Sequence, residues 1–452
     1  MNAIGKQTGK TQKSLYMKIG FILILVLLLM IPNFLIQDLI RERQSLDYQV
    51  KKEIAANWGP SQNIIGPILS IPYDVEIEFD DKKKLVQHIL RIVPESIDIE
   101  VDLSTEERKK GIYKAILYNA DHKINGVFKL PTASDFGNYV KEVHWEEAIV
   151  DIGFSSAASL DDIVHIKWNN DNYKMESGVS SPSLFHSGIH TKVNIDASKG
   201  EYKFSSHIGI NGSESIHYLP IASNTSVKMN STWNSPGFNG LPSPQNREIT
   251  DTGFSAEWKA TEYNRPFKNI WKDNEVNLSN HSVLFGVELV QTVGHYQKNM
   301  RSAKYALLII SLSFMVFFFF EILKGSKIHP VQYIFIGLTL SVFYILLLSF
   351  SEHIGFNAAY IIAAIATISL ISWYSKFLLK KGSKVLILTL VLSILYAYIF
   401  TLLQMEDLAL LVGSLGLFTA LVITMYLSRN TDWYSMGTTS MSPNSSDDLI
   451  VS

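Results

Sequence analysis

The chain has no cysteine among its 452 residues. That absence excludes disulfides, thiolate metal sites and a cysteine nucleophile, so any exported part must be held together by its own core. Other signatures are missing too. There is no His-Glu-x-x-His zinc motif, no Gly-x-Ser-x-Gly elbow and no glycine-rich phosphate loop. No catalytic residue, metal site or cofactor is therefore expected, and nothing in the sequence proposes an enzyme. No basic patch interleaved with aromatics points to nucleic acid, and a net charge of −2 favours no particular partner.

Charge is also absent from long runs. Residues 331–350, 354–375, 385–403 and 408–427 contain no Asp, Glu, Lys or Arg, and 305–323 is interrupted only by Glu321. Each run is about 20 residues long, the length a helix needs to cross roughly 30 Å of hydrocarbon. A further apolar run, 19–36, follows Lys6, Lys10, Lys13 and Lys18. It is long for a cleaved signal peptide and ends without a small-x-small site, so it reads as a retained anchor.

The joints between the C-terminal runs alternate in charge. Lys324 and Lys327 mark one joint; Lys376, Lys380, Lys381 and Lys384 mark another. The joints Ser351-Glu352-His353-Ile354 and Gln404-Met405-Glu406-Asp407 have neither Lys nor Arg. Short basic loops stay on the cytoplasmic side. Six spans with both termini inside satisfy every short loop. The expected fold is an α+β membrane protein with one N-terminal and five C-terminal transmembrane helices. A large β-rich extracytoplasmic domain lies between the first and second spans. The boundaries are 1–18 for the cytoplasmic N-terminus, 19–36 for helix one, 38–303 for the exported domain with an N-terminal helical stalk, 305–427 for the five-helix domain and 428–452 for a cytoplasmic, partly disordered tail.

In the exported segment, Leu39, Arg43, Leu46, Val50, Ile54 and Trp58 recur at helical spacing, and Gly59-Pro60 stops the helix. Alternation then takes over. Residues 64–73, 75–79 and 96–103 alternate apolar and polar as half-buried strands do. Runs at 112–118 and 127–130 follow, with Asn125-Gly126 read as a hairpin turn. Strands are also expected at 163–168, 201–210, 215–219 and 225–232, with turns at 211–213 and 235–240. A sandwich or two packed β-modules accounts for this pattern.

Several strings in order carry a family resemblance: Ile65-Gly66-Pro67-Ile68-Leu69-Ser70-Ile71-Pro72-Tyr73, Glu107-Arg108 with Gly111-Ile112-Tyr113, and Thr232-Trp233 with Pro236-Gly237-Phe238-Asn239-Gly240. Gly253-Phe254-Ser255-Ala256-Glu257-Trp258, His329-Pro330-Val331-Gln332-Tyr333, residues 348–356, residues 401–407 and residues 413–418 follow. Together they resemble the CreD family of bacterial inner-membrane proteins over roughly residues 40–435. The resemblance implies an inner-membrane protein linked to envelope integrity and, in some bacteria, to a two-component regulatory response. It implies no reaction, ligand or catalytic residue.

Two groups of candidate residues emerge. Glu352, His353, Gln404, Glu406 and Asp407 fall at the outer boundary, where carboxylates and an imidazole can bind a cation, relay protons or meet the exported domain. The bland reading is that short loops need polar residues and that acidic groups favour a helix start. Trp233, Phe238 and Trp258 belong to an aromatic-rich stretch that is either core or a docking surface for an envelope partner. Glu321, beside Lys324, reads as a boundary ion pair or a snorkelling side chain, and His329-Pro330 as a helix start. His186 and His190 have metal-like spacing but no nearby carboxylate, which favours turn or surface roles. No span carries a charge at its centre, which counts against a coupled transporter. The expected partners are the lipid bilayer and an envelope protein or cell-wall component. A transporter using the outer polar residues is the alternative.

Overall fold

The computed structural model describes residues 4–79, 82–278, 283–289, 294–324, 328–379, 381–405 and 408–429. The chain divides into two compact units, Leu46–Thr292 and Met1–Ser45 with Val293–Ser452. Helix α1 (Ile4–Ala56) contributes residues to both.

Among the described residues, the unit Leu46–Thr292 contains two sheets. The path of the larger runs β14 (Pro236–Gly240), β18 (Phe285–Leu289), β12 (Ser215–Tyr218), β1 (Gln62–Phe79), β6 (Ile149–Phe154), β10 (Gly188–Lys192) and β9 (Glu176–Ser177). Off this path, β2 (Lys82–Ile92) and β5 (Val140–Val143) pair with β1, and β17 (Ile270–Lys272) pairs with β2. The other sheet orders β15 (Asn246–Thr250), β16 (Gly253–Thr261), β13 (Asn224–Ser231), β3 (Ser96–Lys110), β4 (Tyr113–Lys129), β11 (Glu201–Ser213), β7 (His165–Trp168) and β8 (Asp171–Lys174). A single turn of helix, α2 (Ala133–Phe136), follows β4.

The alternation read in the sequence is the cause of this packing. On β3, Ile97, Ile99, Val101 and Leu103 are buried while Asp98, Glu100 and Asp102 are exposed. The buried set joins Leu69, Ile71 and Tyr73 of β1 in one core drawn from both sheets. Each such aliphatic side chain contributes about 2 kcal/mol of burial, which is how the unit holds without disulfides.

The end of α1 is fixed onto the same unit. Ile54 is buried with Ala115 and Leu117 of β4, and the Trp58 indole N–H donates to the Tyr118 carbonyl at 3.0 Å. The Gly59 N–H caps the Ala55 carbonyl at 2.7 Å. A Cβ at Gly59 would lie 2.3 Å from the Asn211 carbonyl oxygen, so only glycine lets the chain turn there.

Three expected turns are strand. Asn125-Gly126 lies inside β4, paired with Ser205 and Phe204 of β11. Gly126 is there because a Cβ would lie 2.5 Å from both the Phe204 ring and the Ser96 carbonyl oxygen. Residues 211–213 complete β11, and Pro236–Gly240 is β14, paired with β18. Proline is tolerated there because it opens the strand.

The other unit contains α3 (His295–Lys304), α4 (Ala306–Lys324), α5 (Pro330–Ile354), α6 (Phe356–Leu379), α7 (Gly382–Gln404) and α8 (Ala409–Ser428) with the first part of α1. Among the described residues, four helices are long and apolar enough to cross a membrane: the stretch of α1 from Met17, α5, α6 and α7. The pair α3–α4, bent by 45°, makes a fifth if taken as one span, and α8 offers the shorter apolar stretch Leu411–Tyr426. The sequence assigned residues up to 303 to the exported domain, whereas α3 groups with the helices. Its mean composition is polar, but Tyr296, Asn299, Ser302 and Ala303 are buried on one face.

Candidate functional site

The boundary residues are best followed from α5. Its start is set as the sequence suggests, with Pro330 in the first turn and His329 as cap: the Val331 N–H donates to His329 Nδ1 at 3.3 Å and the His329 N–H to Gln332 Oε1 at 2.9 Å. Its end differs. Residues 351–354 are the last turn of α5 and not a loop, and the break to α6 falls on Gly355 at φ 78°. That left-handed backbone is cheap only for glycine, so the helix continues until it reaches one.

Placing Glu352 on a helix fixes its direction. Its carboxylate is mostly buried, accepts from the Tyr296 hydroxyl at 3.0 Å and lies 4.0 Å from Arg43 Nε. One residue earlier, Asn299 Nδ2 donates to Ser351 Oγ at 2.7 Å, and that hydroxyl donates to the Leu348 carbonyl at 2.8 Å. Gln404, at the end of α7, donates to Asn357 Oδ1 at 2.7 Å and accepts from Lys298 Nζ at 3.2 Å. Lys298 also lies 5.9 Å from the centre of the Phe356 ring. Glu352 and Gln404 are thus brought to one end of the bundle and are linked through Tyr296 and Lys298 on α3. His353 is exposed and joins none of these bonds. Glu406 and Asp407 lie outside the described residues.

This arrangement ties α1, α3 and α5 together at one point and α3, α6 and α7 at another. Sequence reading missed Tyr296 and Asn299 because the polar α3 was counted with the exported domain, and it took Arg43 only as part of a helical repeat. The available signal was the apolar–polar spacing of Tyr296, Asn299 and Ala303, which recurs every three to four residues.

At the opposite end of the bundle, Glu321 forms an ion pair with Lys18 of α1. It also accepts from the Tyr333 hydroxyl and the Ile328 N–H, each at 3.3 Å. Thr339 and Ser341 donate to the carbonyls of Phe335 and Gly337 in their own helix, as hydroxyls in membrane helices commonly do.

In the β-rich unit, Trp258 is fully buried and packs against Phe238 and Phe285, so it belongs to the core and not to a surface. Trp233 and Phe238 are half-buried against that core. His190 Nδ1 sits 3.2 Å from the Gly178 carbonyl and His186 is exposed, so the two form no ligand group.

Two further constellations in this unit have no signal in the linear sequence. His122 is wholly buried, with Nδ1 donating to the Ile208 and Ala120 carbonyls at 3.0 and 3.1 Å. Because a carbonyl only accepts, the proton sits on Nδ1, and Nε2 accepts from the Tyr218 hydroxyl at 2.9 Å. Burial pushes the imidazole pKa down to about 4. The second group is Asp74, Glu142 and His144, where one potential ligand atom from each lies within 4.8 Å of the others. Asp74 and Glu142 are cross-strand partners on β1 and β5. A divalent cation accepts such donors, but the hydrogen bond to Asp74, at 3.1 Å, holds the His144 pKa above its ordinary value and favours the protonated ring.

A family model described as Inner membrane protein CreD matches residues 14–434. The protein of that name from Escherichia coli (strain K12) is 30% identical over 416 residues, covering 91% of this chain and 92% of the relative. With its several membrane-length apolar helices and its match over nearly the whole length, the chain belongs to the CreD family of multi-pass inner membrane proteins.

Proposed function

We propose that this protein is a non-enzymatic, six-span inner-membrane protein that supports envelope integrity or a stress response. Both termini are cytoplasmic, and the β-rich domain is periplasmic and binds an envelope protein or cell-wall component. The observation that carries this reading is a large two-sheet unit inserted between apolar helices. The Lys- and Arg-free joints supply the orientation. Tethering at both ends keeps such a domain at the membrane surface. Trp233 and Phe238, half-buried, are the aromatic positions of the proposed docking surface. Trp258 supports them from the core.

Crosslinking in intact cells followed by identification of partners tests the binding. A specific, abundant envelope partner is expected. A deletion strain with normal survival under envelope stress and unchanged permeability would overturn the proposal.

The alternative is an ion-handling protein using Glu352, His353, Gln404, Glu406 and Asp407. The bonds from Glu352 to Tyr296 and Arg43 favour a helix tie instead. Neutral replacement of Glu352, His353, Glu406 and Asp407 together should leave complementation intact if the tie is the only role. Solute flux by reconstituted vesicles, lost in that variant, would reverse the preference.

A further inference from the structure

Helix α3 carries three cations in ten residues, Lys298, Arg301 and Lys304, opposite its buried face. Lys304 is exposed and Lys298 is half-buried. The Lys298 ammonium meets the neutral amide of Gln404 and the face of Phe356; no carboxylate contacts it among the described residues. Glu352, at the same end of the bundle, is already matched with Arg43. After Lys304 the chain bends by 45° and enters the apolar α4. A short amphipathic helix with a basic face, joined by a bend to a span, lies at the level of lipid headgroups.

A groove begins one helical turn farther on. Leu308, four residues past Lys304, opens a cavity of about 400 Å³ between α4, α7 and α8. Along α4 its wall runs from Leu308 to Phe319. Eleven residues of helix advance ~16 Å, about half of the roughly 30 Å hydrocarbon thickness and so the depth of one leaflet. Three of the hydroxyls on its wall are used internally. Tyr398 donates to the Val412 carbonyl at 2.6 Å, and Thr419 and Thr424 donate to the Leu415 and Ala420 carbonyls. Thr424 also lies 3.0 Å from Met315 Sδ, crossing from α8 to α4 at the deep end. Leu415, which faces the groove, is 62% exposed, so protein atoms leave that space unfilled.

We propose that this is a binding site for one anionic phospholipid. Lys298, Arg301 and Lys304 hold the phosphate of the headgroup, and the α4–α7–α8 groove holds an acyl chain. Lys304 lies one helical turn before the mouth of a slot with the depth of a leaflet, and Arg301 and Lys298 continue the basic face away from it, so charge and shape follow one another along a single molecule. The site needs α4, α7 and α8 to lie in the bilayer, but does not depend on which side of the membrane α3 faces or on what the β-rich domain binds.

Native mass spectrometry of the full-length protein, delipidated and then supplied with equimolar phosphatidylglycerol and phosphatidylcholine, tests the site. The wild type should retain phosphatidylglycerol at least about fivefold more than phosphatidylcholine, from the attraction of basic residues to anionic headgroups. The K298Q/R301Q/K304Q variant should lose that preference while still retaining chains. The L312W variant, which fills the groove, should lower retention of both lipids. Millimolar inorganic phosphate should not displace the lipid. Equal retention of both lipids by the wild type would overturn the proposal. So would a preference that survives the triple substitution, or displacement by free phosphate.

Discussion

Tyr296 on α3 donates its hydroxyl to Oε1 of Glu352 on α5 at 3.0 Å, in a pocket where the carboxylate side chain is 11% exposed. A hydrogen bond to a buried charged group contributes about 2 kcal/mol. Tyr296→Phe should therefore lower the unfolding midpoint in detergent by an amount corresponding to about 2 kcal/mol. Glu352→Gln keeps an acceptor for Tyr296 and should cost about 1 kcal/mol. Glu352→Leu removes both the acceptor of the Tyr296 hydroxyl and the carboxylate facing Arg43 and should cost about 3 kcal/mol. If Glu352→Gln instead proves as costly as Glu352→Leu, the charge and not the bond is what holds these helices.

The buried His122 makes the β-rich unit sensitive to acid. Its folded pKa, about 4, is depressed below the ordinary value of about 6.5. As pH falls from about 6.5 towards 4, the unfolded chain takes up a proton that the folded chain refuses. Stability from this residue is thus full above about pH 6.5 and is lost as pH falls through the window, levelling once the folded ring also protonates. The loss amounts to about 3 kcal/mol. Other histidines are shifted as well, His217 downward by burial and His144 upward by its bond to Asp74, so the comparison must be between wild type and His122→Gln. The stability gap between them should narrow on going from pH 7 to pH 4, as followed by tryptophan fluorescence in denaturant. A gap independent of pH would mean that His122 is not held neutral.

Much of this was readable from local pattern. The alternation of Ile97, Ile99, Val101 and Leu103 gave a strand with one buried face, and the stop at Gly59-Pro60 gave the end of α1 to within a few residues. One kind of failure came where a glycine served the fold by its size. Gly126 resembles a turn in the sequence but is a strand residue under the Phe204 ring. The candidate site was half legible. Glu352 and Gln404 stood out as polar residues beside apolar runs, yet their partners Tyr296, Lys298 and Arg43 are distant in the chain. Nothing local links Asp74 to His144 either, since β5 reaches β1 only through sheet pairing.

Gly337 should set how closely α1 approaches α5. A Cβ there would lie 2.3 Å from Leu29 Cδ1 and 3.0 Å from Phe314 Cζ. Small residues at helix crossings allow such approach. In Gly337→Ala the terminal methyl of Leu29 can turn aside, at a cost of about 1 kcal/mol; Gly337→Leu should cost about 3 kcal/mol or prevent assembly. Leu29→Ala opens the space a new Cβ needs. The double variant Gly337→Ala with Leu29→Ala should therefore be more stable than the sum of the single losses, measured as a double-mutant cycle in detergent. Strict additivity would show that the two positions do not share a contact.

Because the chain has no cysteine, a single introduced thiol reports its side of the membrane without background. Asn357, at the start of α6, and Gly382, at the start of α7, are both exposed positions. They flank α6, whose 24 residues span about 36 Å, enough to cross roughly 30 Å of hydrocarbon. The lysines at 376, 380, 381 and 384 cluster beside Gly382, while residues 351–357 contain no Lys or Arg. The charge rule therefore puts Gly382 in the cytoplasm and Asn357 outside. An inner-membrane-impermeant maleimide should label Asn357→Cys in intact cells and label Gly382→Cys only after the inner membrane is broken. Labelling of both in intact cells would mean that α6 does not cross the membrane. The reverse pattern would keep α6 as a span but invert the protein, moving Glu352, Gln404 and Lys298 to the cytoplasmic face.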